Sequence, residues 1–442
     1  MKKNFRKGNN LYKKTSQIIP GGVQLLSKRP EIFLPDQWPS YYKSAKGCQI
    51  LTYDNVKLYD FTNCSVGMCP LGYANSEVNK SVINAIKKAN TTTLNTYLEY
   101  DCAKLLLKIH PWAEMARFTK SGGEAMSVAV RIARTYKKKD KVLFCGYHGW
   151  YDWYISANLK NTNKLNEHLL PGISSSGIPK SLGGLAIPFE FNNEKDFKLK
   201  FKKALKKLSC VVLEPARTQH CDLNFVKTIR KYCSKYNIPL IFDEITLGWH
   251  YTLGGYHKTL KVNPDIAVFS KGTTNGFPLG VVIGKKNIMN AALESFISSA
   301  YWTENIGYAA AIATINYMKK NNVSKKLRSK GRKIKNIWIS LGKENLLPIL
   351  VRGIDSLPTF SFDNEKSDEI ITYFTQEMLK EGFLAHGQCY LMISHTDEHI
   401  KKYKIACSKV FKKISKIFHQ NNANFRRHIN GRVKFAKFKN PV

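Results

Sequence analysis

Two short apolar runs, Pro239 to Phe242 and Ile266 to Phe269, each stop on a residue that can do proton chemistry. Asp243 ends the first, and Lys271 follows Ser270 at the end of the second. Runs of this length suit strands buried on both faces of a parallel sheet. Ligands of such sheets gather just beyond the carboxyl ends of the strands, so an acid and an amine placed there face one crevice. Taken alone, the pair also reads as a surface ion pair. Other strand ends weigh against that. Val142 to Cys145 runs into Gly146-Tyr147-His148-Gly149, where an aromatic can stack on a flat ring or fill the core. Ser209 to Leu213 runs into Glu214-Pro215. Tyr147, Glu214, Asp243 and Lys271 thus all stand at strand ends, which points to a single site.

Ahead of them, Ser121-Gly122-Gly123-Glu124-Ala125 opens an apolar helical run (Met126, Val128, Ala129, Val130, Ile132, Ala133). Paired glycines at a helix N-terminus present bare N–H groups where the helix dipole favours an anion. Ser-x-x-Glu at the same place is also an ordinary capping box. A capping box needs no glycine pair. A flat ring bearing a phosphate, with an amine for a Schiff base and an acid for a ring nitrogen, describes pyridoxal 5'-phosphate. In that chemistry Asp243 keeps the ring nitrogen protonated, and Lys271 works as the free amine, which desolvation encourages.

The elements that must position these groups are legible in outline. The chain has 442 residues, 43% of them hydrophobic, enough for a large core and about two or three domains. From about Ser76 to Ile315 helical and apolar-strand patterns alternate, predicting an α/β fold with a mostly parallel central sheet flanked by helices. The expected division is an N-terminal arm and hairpin over 1–75, a large cofactor domain over 76–320, and a smaller α+β domain over 321–442 that the hairpin joins. Residues 1–45 read as an irregular arm with a turn at Pro20-Gly21-Gly22. Gln49 to Phe61 reads as a hairpin turning at Asp54-Asn55. Leu357 to Phe362 and Cys389 to Ser394 alternate as short strands, and Asn424 to Val442 reads as a solvated tail.

Composition narrows the function classes. The formal net charge is +38, but the lysines are spread along the chain and decorate amphipathic helices such as Phe197 to Leu208 and Lys401 to Ile417. Interleaved aromatics and arginines of the kind that hold single strands are missing, so no specific nucleic-acid partner is expected. Ten scattered cysteines without a Cys-x-x-Cys pair suit reduced thiols in a cytoplasm. No secretory signal or membrane-inserting run is read. His395-Thr396-Asp397-Glu398-His399 fits a His-x-x-Glu-His zinc pattern. It reads instead as Thr396 capping the final helix, with Asp397 and Glu398 in its first turn, and no metal is expected.

In their order and spacing, Ser121-Gly-Gly-Glu-Ala, Tyr147-His-Gly, Glu214-Pro, Asp243-Glu and Ser270-Lys-Gly resemble the class III (fold type I) aminotransferases, in particular the glutamate-1-semialdehyde aminomutase-like group. The resemblance runs from Ile19-Pro-Gly-Gly-Val to His395-Thr-Asp-Glu. It implies that Lys271 holds pyridoxal 5'-phosphate as a Schiff base and that Asp243 pairs with the ring nitrogen. It implies that Ser121, Gly122 and Gly123 hold the phosphate, that Tyr147 stacks on the ring beside His148 and Glu214, and that Ile245 packs on the opposite face. Thr303 matches a family threonine that reaches the phosphate of a neighbouring subunit, so a homodimer is implied.

Several positions depart from the family pattern. Ser-Gly-Thr is usual where this chain has Ser121-Gly122-Gly123, so one hydroxyl near the phosphate is lost. Aminomutases carry Asn-Ser-Pro-Val-Arg where this chain has Gln24-Leu25-Leu26-Ser27-Lys28-Arg29, followed by an inserted Leu34-Pro-Asp-Gln-Trp-Pro-Ser-Tyr-Tyr. Lys28 and Arg29 are the candidates for the substrate carboxylate, and only arginine can grip it with two parallel bonds. Gln219 is the candidate amide for the ring hydroxyl. Arg217 is a carboxylate clamp or a plain surface residue. The expected reaction moves an amino group from an amine donor to an aldehyde or ketone acceptor, with Lys271 shuttling the proton. With both positions on one substrate, the same steps make an aminomutase. The insertion and Tyr147-His-Gly-Trp-Tyr-Asp-Trp-Tyr resemble members that make amino sugars or surface-polysaccharide precursors. Trp153 to Gly184 matches the family's gating-loop region. The rival of another class is a basic, nucleic-acid-binding protein on an inherited fold, against which the intact Lys271 and Asp243 speak.

Overall fold

The computed structural model of the chain describes residues 5–160, 164–168, 172–216, 219–420 and 423–435. Two compact units emerge: Ser76–Ser324, and Met1–Asn75 together with Lys325–Val442.

The first unit is built on a seven-stranded sheet. Its strands are β1 (Met115–Thr119), β2 (Lys141–Cys145), β3 (Ala186–Pro188), β4 (Leu208–Leu213), β5 (Leu240–Asp243), β6 (Ile266–Phe269) and β7 (Gly280–Gly284). Their spatial order is β1-β7-β6-β5-β4-β2-β3. All neighbours run parallel except β7, which is antiparallel to both β1 and β6. Strands β4 to β7 are buried along their whole length, which is why they read as unbroken apolar runs rather than alternations. The helix Gly122–Lys137 buries Ala125, Met126, Ala129 and Ala133 at three- and four-residue spacing, in one core cluster with Val212, Ile241, Val268 and Val282. This is the α/β layer expected from the alternating patterns.

The second unit holds a four-stranded sheet. Tyr42–Lys46, Gln49–Thr52 and Lys57–Phe61 form an antiparallel meander, and Phe383–Ala385 adds in parallel to the last of them. The Asp54-Asn55 turn is formed, with Asn55 in the left-handed region at φ 64°. Ile349–Arg352 and Thr359–Phe362 make a separate antiparallel ribbon. Phe360 packs edge-on against Phe374 of the helix Ser367–Glu381.

Three expectations change here. Over the described residues 5–45 the expected irregular arm is not found: Arg6–Ile18 is a helix, Pro30–Phe33 a single helical turn, and Tyr42–Lys46 a strand. The first helix has no cap from its own N-cap residue. Its opening N–H groups are satisfied from the hairpin turn, because Asp54 accepts from Lys7 at 2.7 Å and from Gly8 at 2.9 Å. The inserted stretch is core, with Leu34 and Trp38 buried and Trp38 stacked on Phe33 at 4.5 Å. Cys389–Ser394 forms no strand; Phe383–Ala385 takes the sheet edge instead. The tail is only partly solvated over 424–435, where most side chains are exposed but the segment is pinned at a few points. Phe425 and Ile429 are buried, and the backbone N–H groups of Lys434 and Phe435 donate to Thr372 Oγ1 and to the Glu31 carbonyl. Residues 436–442 lie outside the described residues.

Because that helix relies on a remote cap, Asp54→Ala should fray it. The expected cost is about 1 kcal/mol, read as roughly fivefold faster amide exchange at Lys7 and Gly8 with the sheet unaffected. Unchanged exchange would mean that packing alone holds the helix.

The zinc-like segment is resolved by its hydrogen bonds. Thr396 and His399 form a reciprocal capping box at the start of Asp397–Phe418. His395 is buried, accepting from the Met392 N–H at 3.0 Å and donating through Nε2 to the Asp60 carbonyl at 2.7 Å. Burial pushes His395, His110 and His168 down from 6.5 to about 4, and His386 to about 3. These imidazoles fold neutral, so the unfolded chain takes up their protons first. Stability should therefore fall as pH drops from about 6.5 towards 4. Melting temperatures measured across that range check this, and a flat profile would contradict it.

Candidate active site

Strands β6, β5, β4 and β2 are consecutive neighbours, all parallel, so their carboxyl ends share one edge of the sheet. That edge carries Lys271, Asp243, Glu214 and the Tyr147-His148 pair. Asp243 and His148 are both buried, with His148 Nδ1 2.7 Å from Asp243 Oδ2. A carboxylate only accepts, so this ring nitrogen carries the proton and His148 donates. The other oxygen, Oδ1, accepts from the Ile245 N–H at 3.0 Å. The carboxylate is thereby fixed in orientation from two sides. Glu244, the next residue, turns away and accepts from His257 Nδ1 and from the Tyr256 and His257 N–H groups, at 2.8–2.9 Å. Glu214 is buried at the end of β4 and takes the Tyr147 N–H at 3.2 Å. Gly146 is required between them: at φ 117°, a Cβ there would lie 2.4 Å from the Glu214 Cβ.

Lys271 sits in the left-handed region at φ 43°, which a side chain disfavours by about 1–2 kcal/mol. Neighbouring bonds hold it there. Ser270 Oγ donates to the Leu279 carbonyl at 2.8 Å, and Thr273 Oγ1 donates to the Ser270 carbonyl at 2.7 Å. The amine reaches Thr246 Oγ1 at 2.9 Å. Thr246 was not singled out in the sequence, although its position three residues beyond Asp243 places it in a loop at the same sheet edge.

At the helix start both readings of Ser121–Glu124 are accommodated. The capping box exists: Ser121 Oγ accepts from Glu124 N, and the Glu124 carboxylate accepts from the Lys120 and Ser121 N–H groups. Among the described residues it leaves the Gly122 and Gly123 N–H groups without a protein acceptor. The glycines are needed for close approach. A Cβ on Gly122 would meet Ile245 Cδ1 at 2.9 Å, and one on Gly123 would meet Tyr151 Cε2 at 2.7 Å.

The segment carrying Thr303 is tied to this helix start. Trp302 Nε1 donates to Glu124 Oε1 at 3.0 Å, and Lys120 pairs with Glu304, which also caps the helix Asn305–Asn321. Thr303 itself is exposed, its hydroxyl turned to the Ala300 carbonyl at 2.9 Å. It lines a cleft of about 340 Å³ with Leu94, Tyr97 and Asn305. Sequence reading missed the clasp, since Trp302, Lys120 and Glu304 carry no motif of their own.

Gln219 is exposed, and Arg217 lies outside the described residues. So do 161–163 and 169–171 of the expected gating region. Lys28 and Arg29 belong to the other unit, where the Arg29 guanidinium lies over Gly21.

The Aminotransferase class-III family profile matches residues 35–417. The 3-aminobutyryl-CoA aminotransferase of Cloacimonas acidaminovorans is 28% identical over 406 residues, covering 88% of this chain and 93% of its own. A glutamate-1-semialdehyde 2,1-aminomutase of Wigglesworthia glossinidia brevipalpis is 30% identical over 431 residues, covering 91% and 97%. In fold, the FumI protein of Sphingopyxis sp. MTA144, solved in its PLP internal aldimine form, matches with a TM-score of 0.85 at 21% identity, over 95% of this chain and 99% of that one. The chain belongs to the class III aminotransferases, a family dependent on pyridoxal 5'-phosphate.

Proposed function

We propose that the protein is a two-substrate aminotransferase, moving an amino group from an amine donor to an aldehyde or ketone acceptor in amino-sugar or surface-polysaccharide precursor synthesis. The carrying observation is the shared sheet edge, where Lys271 and the His148-oriented Asp243 stand on adjacent parallel strands. The residues suit pyridoxal 5'-phosphate: two glycine N–H groups without protein acceptors, a buried oriented carboxylate and an amine.

When bound, the cofactor supplies an electron sink for the bond broken at the amino-bearing carbon. The Gly122 and Gly123 N–H groups, with Ser121, would hold its phosphate at the helix N-terminus. Tyr147 and Ile245 would flank its ring, while His148 orients the Asp243 carboxylate and Glu214 holds the Tyr147 backbone. Lys271 would hold the cofactor covalently and would take and return the proton at the substrate carbon. Thr246 Oγ1, 2.9 Å from its amine, gives the lysine a second polar position during that transfer.

A transaminase is favoured over the aminomutase because the residues aligned with the aminomutase carboxylate arginine are Lys28 and Arg29, and Arg29 is folded over Gly21 with its Nε buried and unbonded. A homodimer is supported by the exposure of Leu94, Tyr97, Tyr100 and Tyr301, apolar surface of a kind that associating proteins cover. A reducing, cytoplasmic location is supported by ten free, buried cysteines. Among the described residues no helix is long and apolar enough to cross a membrane.

A half-reaction screen tests the reading. Amines are offered to the cofactor-loaded protein, and carbonyl compounds to its aminated form, with the cofactor spectrum followed. Discharge by keto or aldehydo sugars is the expected result. Turnover of glutamate-1-semialdehyde alone would favour the aminomutase, and a protein that takes up no cofactor would overturn both.

A further inference from the structure

The absent hydroxyl at position 123 has a structural counterpart. The place a side chain would take on Gly123 is filled by the Tyr151 ring, whose Cε2 and Cδ2 lie 2.7 and 2.9 Å from an ideal Cβ. The ring is not a passing neighbour. Gly149, at φ 97°, brings the chain so close that a Cβ there would lie 3.3 Å from the Gly123 Cα. The Tyr151 carbonyl accepts from the Tyr154 and Ile155 N–H groups, anchoring its backbone at the head of the turn Asp152–Ile155. Trp150 stacks on the ring at 4.7 Å from the solvent side, itself 71% exposed. The phenol is half-buried, and its hydroxyl has no protein partner among the described residues.

We infer that Tyr151 is a phosphate-binding residue, its hydroxyl replacing the one that position 123 lacks; this rests on the pyridoxal 5'-phosphate reading. A glycine at 123 and a tyrosine at 151 then form a matched pair. The ring needs the glycine for space, and the glycine leaves the anion a donor short. A phenol hydroxyl donating to a phosphate oxygen is a charge-assisted bond.

The test compares wild type, Tyr151→Phe, Tyr151→Ala and the double variant Gly123→Thr/Tyr151→Ala. Dissociation constants for pyridoxal 5'-phosphate and for unphosphorylated pyridoxal are read from the visible band of the lysine-linked ligand. Tyr151→Phe keeps the ring and its packing, so it should weaken the phosphate ester by about tenfold and leave pyridoxal unchanged. The double variant should bind the ester more tightly than Tyr151→Ala does. An unchanged ester constant for Tyr151→Phe, equal losses for both ligands, or no gain in the double variant would each overturn the inference. A wild-type chain that forms no band with either ligand would remove the cofactor reading as well, which separates the two failures.

Discussion

Lys271→Ala should leave a folded protein that no longer turns over and no longer keeps the visible band of a lysine-linked cofactor. On the proposed reading the lysine has two tasks, the covalent hold at rest and the proton transfer at the substrate carbon. Proton transfer by a positioned group is worth about 10²–10⁴-fold on its own, so losing both should cost at least that. The distinguishing measurement is the order of loss. Cofactor held by the glycine cradle and ring contacts should still bind non-covalently, with the spectrum of the free aldehyde, and should be removed by dialysis faster than from wild type. A variant that retained the linked band would show that another amine carries the cofactor. Lys120, paired with Glu304 near the helix start, would then be the first to examine.

The second large effect is expected at Asp243. Asp243→Asn preserves shape but removes the charge proposed to hold the ring nitrogen protonated, and it faces His148 Nδ1 with an amide. Losing one preorganised group that stabilises charge in the transition state costs about 10²–10³-fold in kcat. The loss should fall on kcat rather than on the affinity for the phosphate, because the cradle at Gly122 and Gly123 is untouched. A cofactor analogue with a permanently charged ring nitrogen should restore part of the rate in Asp243→Asn and none in Lys271→Ala. Full activity of the unaided variant would exclude Asp243 as the ring partner.

The places of these two residues in the sheet were legible because buried parallel strands write themselves plainly. Pro239 to Phe242 and Ile266 to Phe269 are apolar without interruption, and the first charge after each marks where the chain leaves the sheet. The observed strands are Leu240–Asp243 and Ile266–Phe269, within one residue of that reading. What escaped the sequence depends on partners remote in the chain. The helix Arg6–Ile18 takes its cap from Asp54, 46 positions beyond Gly8, so no local start signal announces it. Phe383–Ala385 is only three residues long, too short for an alternating pattern to be counted. Tyr151 could be seen as an aromatic but not as the occupant of the space above Gly123, since that depends on how the chain doubles back at Gly149. The Ser121–Glu124 segment was ambiguous for a sound reason: one geometry makes the cap and still leaves the Gly122 and Gly123 N–H groups without a protein acceptor among the described residues.

The left-handed posture of Lys271 bears on how inert forms should be made for trapping complexes. Alanine at that position inherits the same unfavourable backbone torsion, whereas glycine adopts φ 43° freely. The glycine-substituted chain would shed a burden of about 1–2 kcal/mol that the working enzyme carries, partly offset by the greater freedom of its unfolded form. On its proposed role, chemical competence at this one locus is thus held against the preference of the polypeptide itself, and the silent protein is the more relaxed of the two.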